Sequence, residues 1–267
     1  TRTFLFLDFI KPILLDYEES LKINNSIDFN DMINKATAII KDEKLLMPYK
    51  YILVDEFQDI SFSRYSLLKE IKNTTSAKIV CVGDDWQSIY RFTGSDIDLF
   101  VNFKKYFGYY ELLKIENTYR NSQELIDIAG AFIMNNSKQF KKNLKSAKHH
   151  SKPVRLVSYD DKPYNEIMSI LNEIYQINPL GTVTILGRNN FDIDYVINDD
   201  IDTSRTLSVV KSGDTVNIKY KTYPSLVINF MTVHKSKGLE ADNVIIINLE
   251  NKLVGFPNKI SDDPVLS

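Results

Sequence analysis

Apolar residues recur at helical spacing through Phe4–Leu21, and a second helix is predicted from Phe29 to about Lys41, with Asp28 as its N-cap. Pro48 then breaks the chain ahead of Tyr51-Ile-Leu-Val54, a short apolar run that reads as a buried strand. Ser61–Lys72 carries Tyr65, Leu67, Leu68 and Ile71 on one helical face, and the run Lys78–Val82 predicts the next strand. Strand, helix and strand in that order predict a βαβ unit with parallel strands. A helix is predicted over about Gln123–Met134. A second alternation begins at Val154: strand 154–158, helix 163–177, strand 182–186, a polar stretch 189–225 with a hairpin near Ser212-Gly213-Asp214, and strands 227–233 and 244–249. The pattern is that of an α/β protein with mostly parallel sheets.

Composition narrows the class. An apolar share of 43% and a charged share of 25% in 267 residues are those of a globular chain with room for one large or two ordinary domains. The formal charge of -2 provides no global field for a polyanion, so a nucleic-acid site has to be a local cleft. The single cysteine, Cys81, sits in an apolar run, cannot form an internal disulfide, and fits a reducing compartment. No apolar run approaches the ~20 residues that span a bilayer. The chain opens at Thr1 and not at Met, which predicts a fragment.

The candidate chemistry lies at strand ends. Asp55 and Glu56 follow the Tyr51 strand, where open α/β sheets bind ligands. One carboxylate there can hold Mg²⁺ and its neighbour can activate a water, although the pair alone fits a solvated acidic turn equally well. The next strand also ends on carboxylates, Asp84 and Asp85, followed by Trp86-Gln-Ser-Ile-Tyr90-Arg91-Phe92. Aromatics with a cation suit a single-stranded nucleic acid, because bases stack and phosphates pair; burial of the rings under the loop is the plainer alternative. Arg120, just ahead of a helix, can pair with a phosphate. The basic run 138–148 reads as a solvated face. Together these groups outline phosphoryl transfer, yet the chain contains no G-x-x-x-x-G-K-[ST] cradle.

Four stretches, VDEFQD (54–59), VGDDWQSIYRFTGS (82–95), NTYRN (117–121) and TVHKSKGLEADNVII (232–246), resemble the ordered motifs of the superfamily 1 UvrD/Rep-like DNA helicases. DDWQSIYRFTGS with GFP at 255–257 is nearest in spelling to the helicase IV branch, and IDFNDMI (27–33) resembles the segment upstream of the DEXX strand. The resemblance runs from about 27 to 260. It implies two RecA-like (P-loop NTPase-type) lobes, both incomplete: 1–114, with a helical lead-in over 1–26, and 115–267. About 40 residues separate Arg188 from Ile228, against more than ~100 for an inserted domain, so the chain resembles the branch without the second-lobe insertion.

The resemblance implies an ATP-dependent helicase or translocase on single-stranded DNA, in the cytoplasm, acting in DNA repair, using ATP and Mg²⁺, and meeting duplex junctions, as a monomer. By position, Asp55 is implied to hold Mg²⁺, Glu56 to orient or deprotonate the attacking water, and Gln87 and Arg120 to meet the γ-phosphate. Tyr119 is implied to stack on adenine, and Glu240 to meet the ribose or couple the lobes. Tyr90 and Phe92, with Arg91 beside them, are implied to engage bases, and Thr232 and His234 to line the DNA strand. The Walker A motif and the last arginine-bearing motif are absent, Thr93 stands where many relatives have Arg, and the fragment alone is expected to be inactive as an ATPase. Two alternatives compete: a two-metal nuclease using Asp55, Glu56, Asp59 and Asp84, and a non-catalytic nucleic-acid-binding module.

Overall fold

A computed structural model of the chain describes residues 2–43, 45, 47–160, 163–197, 206–212, 215–253, 255, 256 and 259. The chain forms two compact units, Thr1–Val154 and Arg155–Ser267.

The first unit opens with α1 (Arg2–Ile23) and α2 (Phe29–Glu43). Asp28 caps α2 as predicted, its Oδ1 accepting from Asp31 N at 2.7 Å. Strand β1 (Tyr51–Val54) leads through a short 3-10 turn into α3 (Phe62–Thr74), capped by the Ser61 hydroxyl, and then β2 (Lys78–Cys81). The two strands pair in parallel from Tyr51↔Lys78 to Val54↔Cys81, the predicted βαβ arrangement. Alternation sends Ile52, Val54, Ile79 and Cys81 toward a core of Phe57, Ile60, Tyr65, Leu68 and Leu99. Short helices α4 (Asp98–Val101) and α5 (Phe103–Phe107) add an aromatic wall to it, with the Phe57 and Phe103 rings edge-on at 5.6 Å.

The segment 115–154, assigned from sequence to the second lobe, belongs to the first unit by its packing. Asn117 bridges Lys145, and α6 (Gln123–Ile133) is capped by Ser122. The Trp86 indole lies against Gly130 of α6, where an added Cβ would meet the ring at 3.3 Å.

In the second unit, α7 (Tyr164–Ile177) buries Tyr164, Ile167, Leu171 and Ile174, a helical stripe, on a five-stranded sheet. The strands are β3 (Thr182–Gly187), β4 (Leu207–Ser212), β5 (Thr215–Tyr220), β6 (Val227–Thr232) and β7 (Asn243–Ile246). Their order is β4-β5-β6-β3-β7. The centre, β6-β3-β7, is parallel, and Val183, Ile185, Ile228 and Phe230 fill its core face. The polar stretch holds a regular hairpin: β4 and β5 pair antiparallel and extend the sheet beside β6, burying Leu207, Ile218 and Tyr220. The expected turn residues Gly213 and Asp214 lie outside the described residues, as does Pro257 of GFP.

One predicted strand is absent among the described residues. Residues 154–158 form no ladder, and Leu156 is exposed. A strand exists only where a neighbour pairs with it, and the apolar run 154–158 has no such neighbour here.

Candidate functional site

Both strands of the first unit end at the site. Asp55 and Glu56 are exposed at the end of β1, and Glu56 N donates to Asp55 Oδ1 at 2.8 Å. Glu56 adopts the left-handed conformation, φ 49° and ψ 41°, which a side chain with a Cβ rarely takes. That turn carries its carboxylate to Gln58, whose Nε2 donates to Glu56 Oε2 at 2.5 Å. Gln58 is fully buried, and its Oε1 accepts from Asp84 N at 2.9 Å. Gly83 makes this reach possible: a Cβ there would meet Gln58 Oε1 at 2.6 Å and the Phe100 ring at 2.7 Å. A buried side chain thus ties the two strand ends together through hydrogen bonds.

The tie continues into the aromatic loop. Asp84 Oδ1 accepts from Trp86 N at 3.0 Å, and Asp84 Oδ2 accepts from Gln87 Nε2 at 2.8 Å. Lys142 Nζ pairs with Asp84 and lies 2.6 Å from Asp85 Oδ1. Burial pushes the Asp84 carboxyl up, but hydrogen bonds from Lys142, Gln87 and the Trp86 amide outweigh it and hold the pKa below the ordinary carboxylate value. Asp85, fully buried, accepts from Phe140 N at 2.7 Å, and Trp86 Nε1 donates to Phe140 O at 3.0 Å. Beyond this anchor, the Tyr90 and Phe92 rings stand edge to face at 6.1 Å, with Phe92 and Arg91 exposed.

An open cleft of about 410 Å³ lies beside the carboxylates, between Asp55, Glu56 and Asp59 on one side and Arg64, Leu67 and Ile71 of α3 on the other. Tyr119 and Arg120 are exposed in the loop ahead of α6, where the Arg120 carbonyl accepts from Lys148 Nζ at 3.3 Å. In the second unit, Thr232 ends β6 and is buried, and its hydroxyl accepts from Lys235 N at 3.4 Å. His234 Nδ1 accepts from Arg188 at 3.4 Å, and burial, with the Arg188 charge, pushes its pKa down. Glu240 lies exposed in the loop before β7.

Hydrogen bonds thus bring together Glu56 and, through Asp84, Gln87. The residues that join them, Gln58, Gly83 and Lys142, were missed from sequence. Gln58 was in view inside DEFQD, but its burial was not, and Lys142 was hidden in what reads as a wet basic run.

Among the described residues, no three or more His, Cys, Asp or Glu side chains are grouped to share a metal ion. Asp55 Oδ2 has no protein partner among them, which suits a Mg²⁺ that takes one or two carboxylates and fills its shell with water and phosphate oxygens. Both oxygens of Asp84 are already engaged, by Lys142 and Trp86 N on one side and Gln87 on the other. A role for Asp84 as a metal ligand in the two-metal nuclease reading would have to compete with these contacts. No helix among the described residues is long and apolar enough to cross a membrane.

Two α/β units, with parallel strands that end in polar loops, define a RecA-like protein of the helicase type. The UvrD/REP helicase N-terminal domain matches residues 5–108, and the UvrD-like helicase C-terminal domain matches residues 213–264. The chain belongs to the UvrD/REP helicase family. It is 34% identical to DNA helicase IV of Escherichia coli over 92% of its own length and 33% of that protein. It is 30% identical to the ATP-dependent DNA helicase Rep of Buchnera aphidicola over 87% of the chain and 34% of Rep. It is 28% identical to the ATP-dependent DNA helicase PcrA of Bacillus subtilis over 68% of the chain and 26% of PcrA. The chain therefore spans between about a quarter and a third of the length of these relatives.

Proposed function

We propose that the chain is part of the motor of an ATP-dependent DNA helicase that moves on single-stranded DNA, each compact unit standing for one RecA-like lobe. The observation that carries this reading is the bonded path from Glu56 through Gln58 to Asp84 and Gln87, at the root of the loop that bears Tyr90 and Phe92. Such a path joins a water-activating carboxylate to a stacking platform inside one unit.

In this reading Asp55 holds Mg²⁺, which supplies neutralising charge to the phosphates when bound. Glu56 takes a proton from, or orients, the attacking water, and its hydrogen bond from Gln58 fixes the carboxylate. Gln87 and Arg120 meet the γ-phosphate, where a side-chain amide and a guanidinium steady developing charge. Tyr119, exposed ahead of α6, stacks on adenine, and Glu240 meets the ribose. Tyr90 and Phe92 stack on bases and Arg91 pairs with phosphate. Thr232 and His234 line the strand in the second unit. The full-length protein works as a monomer in the cytoplasm at duplex junctions, and the 267-residue chain alone hydrolyses no ATP.

A tailed DNA duplex incubated with the full-length protein and Mg²⁺ tests this. Strand separation that requires ATP is expected. DNA cut without nucleotide supports the nuclease instead, and binding without separation or hydrolysis reduces the site to a binding module.

A further inference from the structure

The basic segment 138–145 is not wholly a wet face: Lys138, Lys141 and Lys145 are exposed, but Phe140 and Lys142 are half-buried. Its residues wrap the root of the aromatic loop: Phe140 N donates to buried Asp85, Phe140 O accepts from the Trp86 indole, and the Phe140 ring stands 5.9 Å from Phe100. Lys142 is the centre of this wrap. Its side chain is only 20% exposed, its Nζ pairs with both Asp84 and Asp85, and the same ammonium lies 5.0 Å from the Trp86 ring centroid. An ammonium facing two carboxylates and an aromatic ring is spent inside the protein. Asp84 in turn holds the Gln87 side chain. Gln58 holds the same root, so Asp84 is gripped twice, at its carboxylate by Lys142 and at its backbone N–H by Gln58.

We propose that Lys142 is a positioning residue that latches the 84–93 loop, setting Gln87 through Asp84 and the Trp86 ring by direct contact, so that Lys142, with Phe140, braces this loop and is not itself a contact for nucleic-acid phosphates. The role of the latch in coupling rests on the helicase reading above; its existence does not.

Trp86 is the only tryptophan in the chain, so its fluorescence reports the latch directly. Lys142→Met keeps the apolar stem and removes the charge, and Lys142→Arg restores a cation. The expected result for Lys142→Met is a red-shifted Trp86 emission and acrylamide quenching increased about twofold, both returning toward wild type in Lys142→Arg. Unchanged emission and quenching in Lys142→Met overturns the latch. The same change in Lys142→Arg as in Lys142→Met overturns its ionic basis.

Two measurements on the full-length protein test the rest. Lys142→Met is expected to lower DNA-stimulated ATP turnover about tenfold through kcat, with KM for ATP little changed and rescue by Lys142→Arg. Unchanged turnover overturns the positioning of Gln87. The salt dependence of single-stranded DNA binding is expected to keep its slope in Lys142→Met; a slope reduced by about one makes Lys142 a phosphate contact and overturns the brace. If wild type shows neither hydrolysis nor DNA binding, the helicase reading fails, and the Trp86 measurement still decides the latch.

Discussion

Glu56 carries the sharpest prediction, because its backbone and its proposed chemistry make opposite demands. Its φ of 49° lies where a Cβ crowds the following carbonyl, at a cost of about 1–2 kcal/mol for any residue but glycine. Elsewhere, exchanging alanine for glycine destabilises by roughly 0.5–1 kcal/mol, because glycine loses more freedom on folding. Comparing Glu56→Gly with Glu56→Ala isolates the strain, since both variants lose the carboxylate and its 2.5 Å bond from Gln58. Subtracting the entropy from the strain leaves the glycine variant more stable than the alanine variant by about 0.5–1 kcal/mol, the reverse of the usual order. Glu56→Asn falls between them, because asparagine tolerates the left-handed region. Urea unfolding followed by Trp86 fluorescence reads the first unit, where both residues lie. An alanine variant as stable as the glycine variant, or more stable, refutes the strained turn. Strain kept at a proposed catalytic carboxylate is the pattern expected where function, not stability, fixes the conformation.

Other positions give further expectations. Gly83→Ala places a Cβ 2.6 Å from Gln58 Oε1 and 2.7 Å from Phe100, so it should destabilise the first unit by about 1–3 kcal/mol, measured by the same urea unfolding. Burial pushes the Cys81 thiol up to about 12. At pH 8 it should therefore react with a thiol reagent far more slowly than a free cysteine does, and rapidly once the protein is unfolded. The Asp84 carboxyl has a folded pKa below its ordinary 3.8, so its contribution is present above that value and is lost as pH falls through the folded pKa. Any change in Trp86 emission from this carboxyl should therefore have its midpoint below pH 3.8; a change centred near neutral pH would contradict the assignment.

The legible parts of the fold are those where one residue type has one physical use. The β1 and β2 strands, the Asp28 cap and the helices α3 and α7 follow from periodicity and capping, and the structure places them within a residue or two of expectation. The β4–β5 hairpin was legible from its turn residues near 212–214, and its strands support it: Leu207 and Val209 on one, with Val216, Ile218 and Tyr220 on the other, alternate with period two inside a stretch that looks polar on average. The expected strand at 154–158 failed for the opposite reason, since an apolar run shows that a strand is affordable but not that a partner exists. Lys142 was illegible within the basic segment because its charge is met by Asp84 and Asp85, more than fifty positions earlier in sequence. Gln58 was illegible as a wire between strand ends because only the fold shows that Gly83 opens the space it crosses.

The most direct test is steady-state ATP hydrolysis by the full-length protein, with and without single-stranded DNA, for wild type and Glu56→Gln. DNA should stimulate wild-type turnover, and Glu56→Gln should lower it by at least about a hundredfold while DNA binding survives. Hydrolysis that ignores DNA, or that persists in Glu56→Gln, would contradict the account at its centre, because the Gln58 path would then not join a water-activating carboxylate to the aromatic loop.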